Sequence, residues 1–273
     1  MHRWFWLRVG YHRLRRQVDW RRHPLPWATR VGAAEQFPQV VAERDSPLRR
    51  APNGAIAAYT EEKTHNLTLA ARRIDGLALE PGEVFSFCRT VGSTTRRRGY
   101  RPALELIEGK LRAEIGGGLC QLSNLLFLLA LDIHAEIVER HRHSYDLFRD
   151  IDRTVPFGCG ATVFYNYVDL QFRNSLPFPV MVSVAVAAPV LRACVLAPQA
   201  LPFQVRIVET DSRFFRRHGA VYRANRLWRE VEYRDGRGLV RELLCENECR
   251  VMYPADDLVD ESPADGGASC TGE

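Results

Sequence analysis

Three glycines that lead directly into an apolar helix constrain this chain more than any other feature. The segment reads Ile115-Gly-Gly-Gly-Leu-Cys-Gln-Leu-Ser-Asn-Leu-Leu-Phe127. Glycines ahead of a helix allow a tight backbone turn and the close approach of another group. The leucines that follow recur on one helical face. The pattern therefore predicts a helix from about Cys120 to Leu131, with Cys120 in its first turn.

Strand patterns outnumber helix patterns in the rest of the chain. A second helix is predicted from about Glu61 to Ile74, and a hairpin is predicted around Gly109-Lys110. Further strands are predicted on both sides of Pro81-Gly82, over 135–140, 161–173, 180–187 and 190–197, and from 203 to about 251. Few helices among many strands indicate an α+β fold, with an antiparallel-rich sheet around the central helix.

Charge and proline content divide the chain of 273 residues into three predicted parts. Residues 1–54 carry scattered prolines and read as a basic, irregular N-terminal arm, with eight arginines against one acid in the first thirty residues. Residues 55–255 form the predicted main domain. Residues 256–273 are acidic and contain glycine and proline, so we expect them to be disordered.

The composition favours a cytoplasmic protein. No apolar run approaches the roughly 20 residues of a membrane-spanning helix, and arginines interrupt the N-terminal apolar stretch that a secretory signal needs. The seven cysteines are then expected to be mostly reduced thiols. The arm mixes arginines with aromatic residues, which suits peripheral contact with an anionic membrane surface, but a solvated arm that packs a few aromatics on the domain is the simpler interpretation. We expect no nucleic-acid partner, because the bases do not continue into a binding module.

Cys120 is the candidate nucleophile. A thiol at a helix start meets the positive end of the helix dipole, which is expected to lower its pKa. The unpaired N–H groups there could stabilise an oxyanion. The alternative is a small buried cysteine that packs the helix start, since free cysteine is among the most buried residue types. Both interpretations stay open at this point.

A nucleophilic cysteine needs a base, and His143 is the candidate because it begins a polar stretch after a predicted strand. We interpret the nearby His141 as structural. Asp169, within the predicted strand 161–173, would orient the imidazole, with Asn166 and Asp146 as rivals. An ion pair of Asp169 with Arg173 is an equally acceptable interpretation. The chain order of cysteine, histidine and aspartate is similar to papain-like and transglutaminase-like thiol enzymes.

Two other kinds of site are compatible with the sequence. Gly116, Gly117 and Gly118 could instead cradle an anionic ligand at the helix N-terminus, in a protein that binds without catalysis. Cys245 and Cys249, with Cys270 or a histidine, have a tolerable zinc spacing, but their strand-like context argues against a metal site. We expect no metal and no cofactor.

Several segments together resemble the VanW family. They are His65–Ala71 with Ile74–Gly76, Pro81–Phe87, Gly116–Phe127, Ala161–Val163 with Val168–Leu170 and Arg173-Asn174, and Glu246–Pro254. The resemblance implies a link to cell-wall peptide chemistry or glycopeptide resistance, with a wall-precursor peptide as the partner. Matching positions include Gln121 and Ser123, taken as substrate-binding residues, beside Cys120, His143 and Asp169. One position departs from the family, which usually has an acid where this chain has Gly160.

Overall fold

The computed structural model describes residues 2–22, 24–48, 59–107, 110–142, 145–146, 149 and 155–259. Within these residues strands predominate over helices, and the fold is α+β with mostly antiparallel sheets, as predicted. In chain order the elements are α1 (His2–Arg22), β1 (Gln39–Pro47), α2 (Thr60–Ile74), β2 (Leu77–Leu79), β3 (Val84–Ser86), α3 (Phe87–Val91), β4 (Pro102–Ile107), β5 (Lys110–Ile115), α4 (Cys120–Asp132), β6 (Glu136–Glu139), β7 (Tyr145–Asp146), β8 (Gln171–Arg173), β9 (Val180–Ala187), β10 (Val190–Ala197), β11 (Phe203–Arg217), β12 (Ala220–Tyr233) and β13 (Gly238–Val251).

The main core lies between helices α2 and α4 and an antiparallel sheet ordered β1-β10-β9-β2. Helix α4 packs on β1 and β10, and α2 packs on β9. Leu122, Leu126 and Leu129 are almost fully buried, as their spacing on one face of α4 predicts. Replacing such a leucine by alanine typically costs about 2–5 kcal/mol of stability. The predicted central helix is therefore confirmed, and it begins at Cys120.

Three further strand assemblies surround this core. Strands β11, β12 and β13 form a long antiparallel sheet, and β7 pairs in parallel with the end of β13. Strands β3, β8 and β6 form a second small sheet. Strands β4 and β5 make an isolated hairpin, whose register places Ala103 opposite Glu114 and Glu105 opposite Arg112. This hairpin and the β3-β8-β6 sheet flank the region just before α4.

The prediction of an irregular arm over residues 1–54 is wrong for two segments. Residues His2–Arg22 form helix α1, and β1 belongs to the main sheet through its pairing with β10. Long-range contacts explain the helix, because Arg13 donates to the carbonyl of Tyr165 and Arg16 pairs with Glu139. Residues 49–54 lie outside the described residues, as do residues 260–273 of the predicted disordered tail.

The prediction of one long strand over residues 161–173 is also wrong. Only β8 is a strand, and Phe164 and Val168 close a tight turn with Asn166 at a positive φ of 52°. Asparagine tolerates this left-handed conformation better than most residues. The turn carries residues 163–165 away from any sheet and towards the start of α4, where they help to form the site described below.

Within the described residues, no helix is long and apolar enough to cross a membrane.

Candidate functional site

A cavity of about 250 Å³ lies beside the start of α4. Its walls come from α1, α3, the β4–β5 hairpin, the glycine turn and the turn at residues 163–165. Three charged side chains line it in addition to the thiols of Cys88 and Cys120: Arg13, Glu105 and Glu114. Of the site residues predicted from the sequence, Cys120 and Gly116 line this cavity.

The thiol of Cys120 faces the carbonyl of Val163, with 3.9 Å between Sγ and the oxygen. Burial raises the pKa of this thiol to about 12, and the negative charge of Glu105 adds to the effect. The predicted lowering of this pKa by the helix start is therefore wrong. Burial and a nearby acid both disfavour a thiolate, and here they outweigh the helix dipole.

The glycine run is required by close packing. A Cβ on Gly117 would lie 2.0 Å from the carbonyl oxygen of Ala103, so only glycine lets the turn dock on β4. Gly116 has a φ of 81° and lines the cavity, whereas Gly118 faces the side chain of Lys63. The Asn66 amide donates to the carbonyls of Arg101 and Gly117 and fixes the turn.

Three backbone N–H groups at the start of α4, where unpaired donors were predicted, already donate hydrogen bonds within the turn. The backbone N–H groups of Gln121 and Leu122 donate to the carbonyls of Gly118 and Leu119, and that of Ser123 also donates to Leu119. The Gln121 amide donates to Ser46 Oγ and to the carbonyl of Pro47, each at 2.8 Å, and so fastens the end of β1. Ser123 Oγ donates to the carbonyl of Ala161 at 2.6 Å. Both side chains tie α4 to neighbouring segments.

Asp169 is fully buried and caps helix α3. Its Oδ1 accepts the backbone N–H of Cys88 at 2.8 Å, and its Oδ2 accepts the hydroxyl of Ser86 at 2.6 Å and the amide of Gln171 at 3.0 Å. Burial raises the pKa of this carboxyl. Asp169 lies just before β8 and not within a strand, and it does not line the cavity itself but contacts Cys88, which does.

The described residues do not bring a histidine to Cys120. His143 lies outside the described residues, so its predicted role as the base stays a prediction. His141 is exposed and lies 3.0 Å from a carboxylate oxygen of Glu139. The alternative pairing of Asp169 with Arg173 is wrong, because Arg173 pairs with Glu136 at 3.4 Å.

The structure also places the two rivals of Asp169, which are Asp146 and Asn166, and the departing residue Gly160. Asp146 is buried beside Arg223 and accepts from the hydroxyl of Tyr253. The backbone N–H of Asn166 donates to Cys88 Sγ at 3.4 Å. A Cβ on Gly160 would lie 3.2 Å from Asn124 Oδ1. An acid at that position would therefore start next to Asn124, whose Oδ1 already accepts the N–H of Ala161.

Glu105 and Glu114 were not identified from the sequence. Their places in the hairpin register put them diagonally across β4 and β5 on one face. Burial and the adjacent Glu114 raise the pKa of Glu105 to about 7. The predicted hairpin contains a signal that could have identified them. Two acids on one face of a short β-ribbon repel each other, so their presence indicates that a cationic group binds there.

Arg13 is the cation of the cavity. Its Nε donates to the carbonyl of Tyr165 at 3.0 Å, and its guanidinium stacks 5.4 Å from the ring centre of Phe164. Helix α1 therefore supplies part of the wall. Across the described residues, no group of three His, Cys, Asp or Glu side chains could hold a metal ion; Cys270, of the zinc alternative, lies outside them.

Comparison with known proteins gives one family and two relatives. The family model described as VanW like protein matches residues 62–196. The vancomycin B-type resistance protein VanW of Enterococcus faecalis is 32% identical over 228 residues, which is 82% of this chain and 82% of that protein. The uncharacterized protein YoaR of Bacillus subtilis is 31% identical over 153 residues, or 54% of this chain and 48% of that protein. No solved structure matches the chain significantly.

Proposed function

Since this chain belongs to the VanW family, we propose that it serves in glycopeptide resistance by binding a short cell-wall precursor peptide in the cavity beside Cys120. The observation that carries the proposal is that Glu105, Glu114 and Arg13 line the same cavity of about 250 Å³. Vancomycin resistance is part of the name of the Enterococcus faecalis relative, which aligns over most of both chains.

The charges of the cavity favour a small zwitterion. Two carboxyls can accept hydrogen bonds from an ammonium group, and the Arg13 guanidinium can donate to a carboxylate. The ends of a dipeptide carry these two groups. A purely anionic ligand would meet Glu105 and Glu114 at close range, which makes the anion-cradle alternative the poorer fit. A thiol with a pKa of about 12 stays protonated at neutral pH, which also favours binding over covalent chemistry.

Calorimetric titration of the full chain with D-alanyl-D-alanine tests this proposal. We expect binding that strengthens as the pH rises through about 7, because Glu105 ionises there and then attracts the ammonium group. Glu105→Gln should weaken binding by about tenfold, the usual effect of losing one charge-assisted hydrogen bond.

Three controls make the titration decisive. Glu43→Gln, at an exposed site on β1 that pairs with Arg192, should bind as the wild type does. L-alanyl-L-alanine reports whether the cavity distinguishes stereoisomers, and inorganic phosphate reports anion binding. Binding of phosphate without binding of either dipeptide would overturn the proposal in favour of an anion site.

Thiol acyl transfer is the second candidate, and the carboxyl of Glu105 favours it. With a pKa near 7, Glu105 could take the proton of Cys120 while sulfur attacks the peptide carbonyl. The carbon–nitrogen bond then breaks, the leaving amine receives that proton, and water hydrolyses the thioester. His143 remains the predicted base of the original Cys–His–Asp arrangement, and Glu105 is an alternative to it.

Iodoacetamide labelling separates the two candidates. The binding function expects Cys120 to react slowly at neutral pH and faster only at high pH, because so little of the thiol is ionised. Rapid stoichiometric labelling near pH 7, located by mass spectrometry and absent in Cys120→Ala, would favour the thiol enzyme. In a resistance complementation assay, Cys120→Ala should retain the phenotype of a binding protein and should abolish that of a thiol enzyme.

A further inference from the structure

Helix α1 has two opposite faces with different partners. Its inner face bonds to the body of the protein: Arg13 donates to the carbonyl of Tyr165, and Arg16 makes two 2.6 Å hydrogen bonds to the Glu139 carboxylate. These contacts fix the rotation of the helix about its own axis. The opposite face is thereby held towards solvent, although it is apolar.

That outer face carries three large apolar side chains at helical spacing. Leu7, Tyr11 and Leu14 follow one another at i, i+4 and i+7, so they lie in one stripe. They are 65%, 62% and 64% exposed, respectively. Single exposed apolar residues are ordinary on a protein surface, but a contiguous stripe on a helix fixed by its other face marks an interaction surface.

The charges around the stripe are positive. Arg8, Arg15, Arg21 and Arg22 are exposed on the same helix. Among the described side chains of α1 the one acid is Asp19, and it lies 3.7 Å from Arg15. Arginine side chains beside an apolar stripe can extend towards phosphate headgroups while their stems stay on apolar surface. A second copy of the chain would instead bring the same positive charges against these arginines.

We infer that the outer face of α1 docks on an anionic lipid bilayer, lying in the plane of the interface. The stripe of Leu7, Tyr11 and Leu14 enters the boundary between headgroups and acyl chains, and the arginines pair with lipid phosphates. The body of the protein, bonded to the inner face, is then held against the membrane with the cysteine cavity beside α1. This inference does not depend on what the cavity binds.

Vesicle flotation with the full chain tests the inference. We expect binding to vesicles of phosphatidylcholine with about one third phosphatidylglycerol, weak binding to pure phosphatidylcholine, and loss of binding as salt screens the charges. The double variant Leu7→Gln with Leu14→Gln should lower partitioning to the anionic vesicles by about tenfold or more, because it removes apolar area from the stripe.

A matched control uses two exposed leucines elsewhere on the surface. Leu239 and Leu243 on β13 are 60% and 46% exposed, and the double variant Leu239→Gln with Leu243→Gln should bind anionic vesicles as the wild type does. Circular dichroism checks that both double variants stay folded. Equal vesicle binding by wild type and the α1 variant would overturn the inference. So would a wild-type dimer in lipid-free solution that the α1 variant converts to monomer, since the face would then bind a second copy.

Discussion

At the residue scale, burial and the negative charge of Glu105 control the thiol of Cys120 and raise its pKa to about 12. The glycine run and the leucine spacing place this cysteine at a helix start from sequence alone. The pKa of its thiol depends on how the β4–β5 hairpin folds over it and brings Glu105 near, and no local pattern records that packing. The helix dipole favours the thiolate of Cys120, but burial and the charge of Glu105 disfavour it more strongly.

Glu105 gives a pH-dependent stability that can be measured. Its pKa of about 7 exceeds the unfolded value of 4.5, so between these values the folded state keeps a proton that the unfolded state has lost. The free energy of unfolding therefore falls as pH rises through this interval. In Glu105→Gln, which cannot ionise, that fall should be smaller by about 1–3 kcal/mol.

Urea unfolding of both proteins at about pH 4.5 and about pH 8 measures the difference. Glu43→Gln, exposed on β1, serves as the control and should show the pH dependence of the wild type. Equal pH dependence in wild type and Glu105→Gln would mean that the buried carboxyl is already ionised in the folded protein.

At the element scale, a regular apolar periodicity predicts helices and strands well. Segments whose structure depends on a cap or a turn are predicted poorly. Helix α2, helix α4 and strands β9 and β10 agree closely with the predicted ranges, because each carries its own apolar pattern. Helix α3 has only five residues and was missed. Its N-cap residue is Ser86, and the Ser86 hydroxyl donates to Asp169, which lies 83 residues further along the chain. The same contacts give Asp169 a structural role at the start of α3, and its predicted role in orienting a catalytic histidine stays a prediction.

Asp169→Ala should lower the free energy of unfolding by about 2–4 kcal/mol, because the Cys88 N–H, the Ser86 hydroxyl and the Gln171 amide lose a buried acceptor. Asp169→Asn should recover part of this loss, since its amide oxygen can still accept from Cys88. Chemical denaturation measures both effects. The labelling rate of Cys120 and its pH profile should stay unchanged in Asp169→Asn. A shifted pH profile in this variant would instead support the predicted orienting role of Asp169.

At the scale of the whole molecule, the N-terminal helix is the largest departure from the sequence prediction. Its arginines looked like solvated charge, yet two of them are bonded to the body across more than 120 residues of sequence. Glu139 is the centre of this attachment. Burial opposes its charge, but hydrogen bonds from His141 and Arg16 outweigh burial and lower the pKa of Glu139 to about 2. Its contribution to stability is therefore present above the unfolded value of 4.5 and is lost as pH falls through about 2.

This attachment makes α1 a removable wall of the cysteine cavity, and Arg16→Ala tests that role. Without the Arg16–Glu139 pair, Arg13 is no longer held as firmly against Tyr165, so Cys120 should become more accessible. We expect labelling of Cys120 by a small methanethiosulfonate, and proteolytic cleavage within residues 2–22, to increase several-fold. Arg15→Ala, at an exposed position on the same helix, should change neither rate. Faster cleavage of α1 without faster labelling would mean that the cavity stays closed when the helix leaves, because α3 and the turn at residues 163–165 would then be sufficient to cover the thiol.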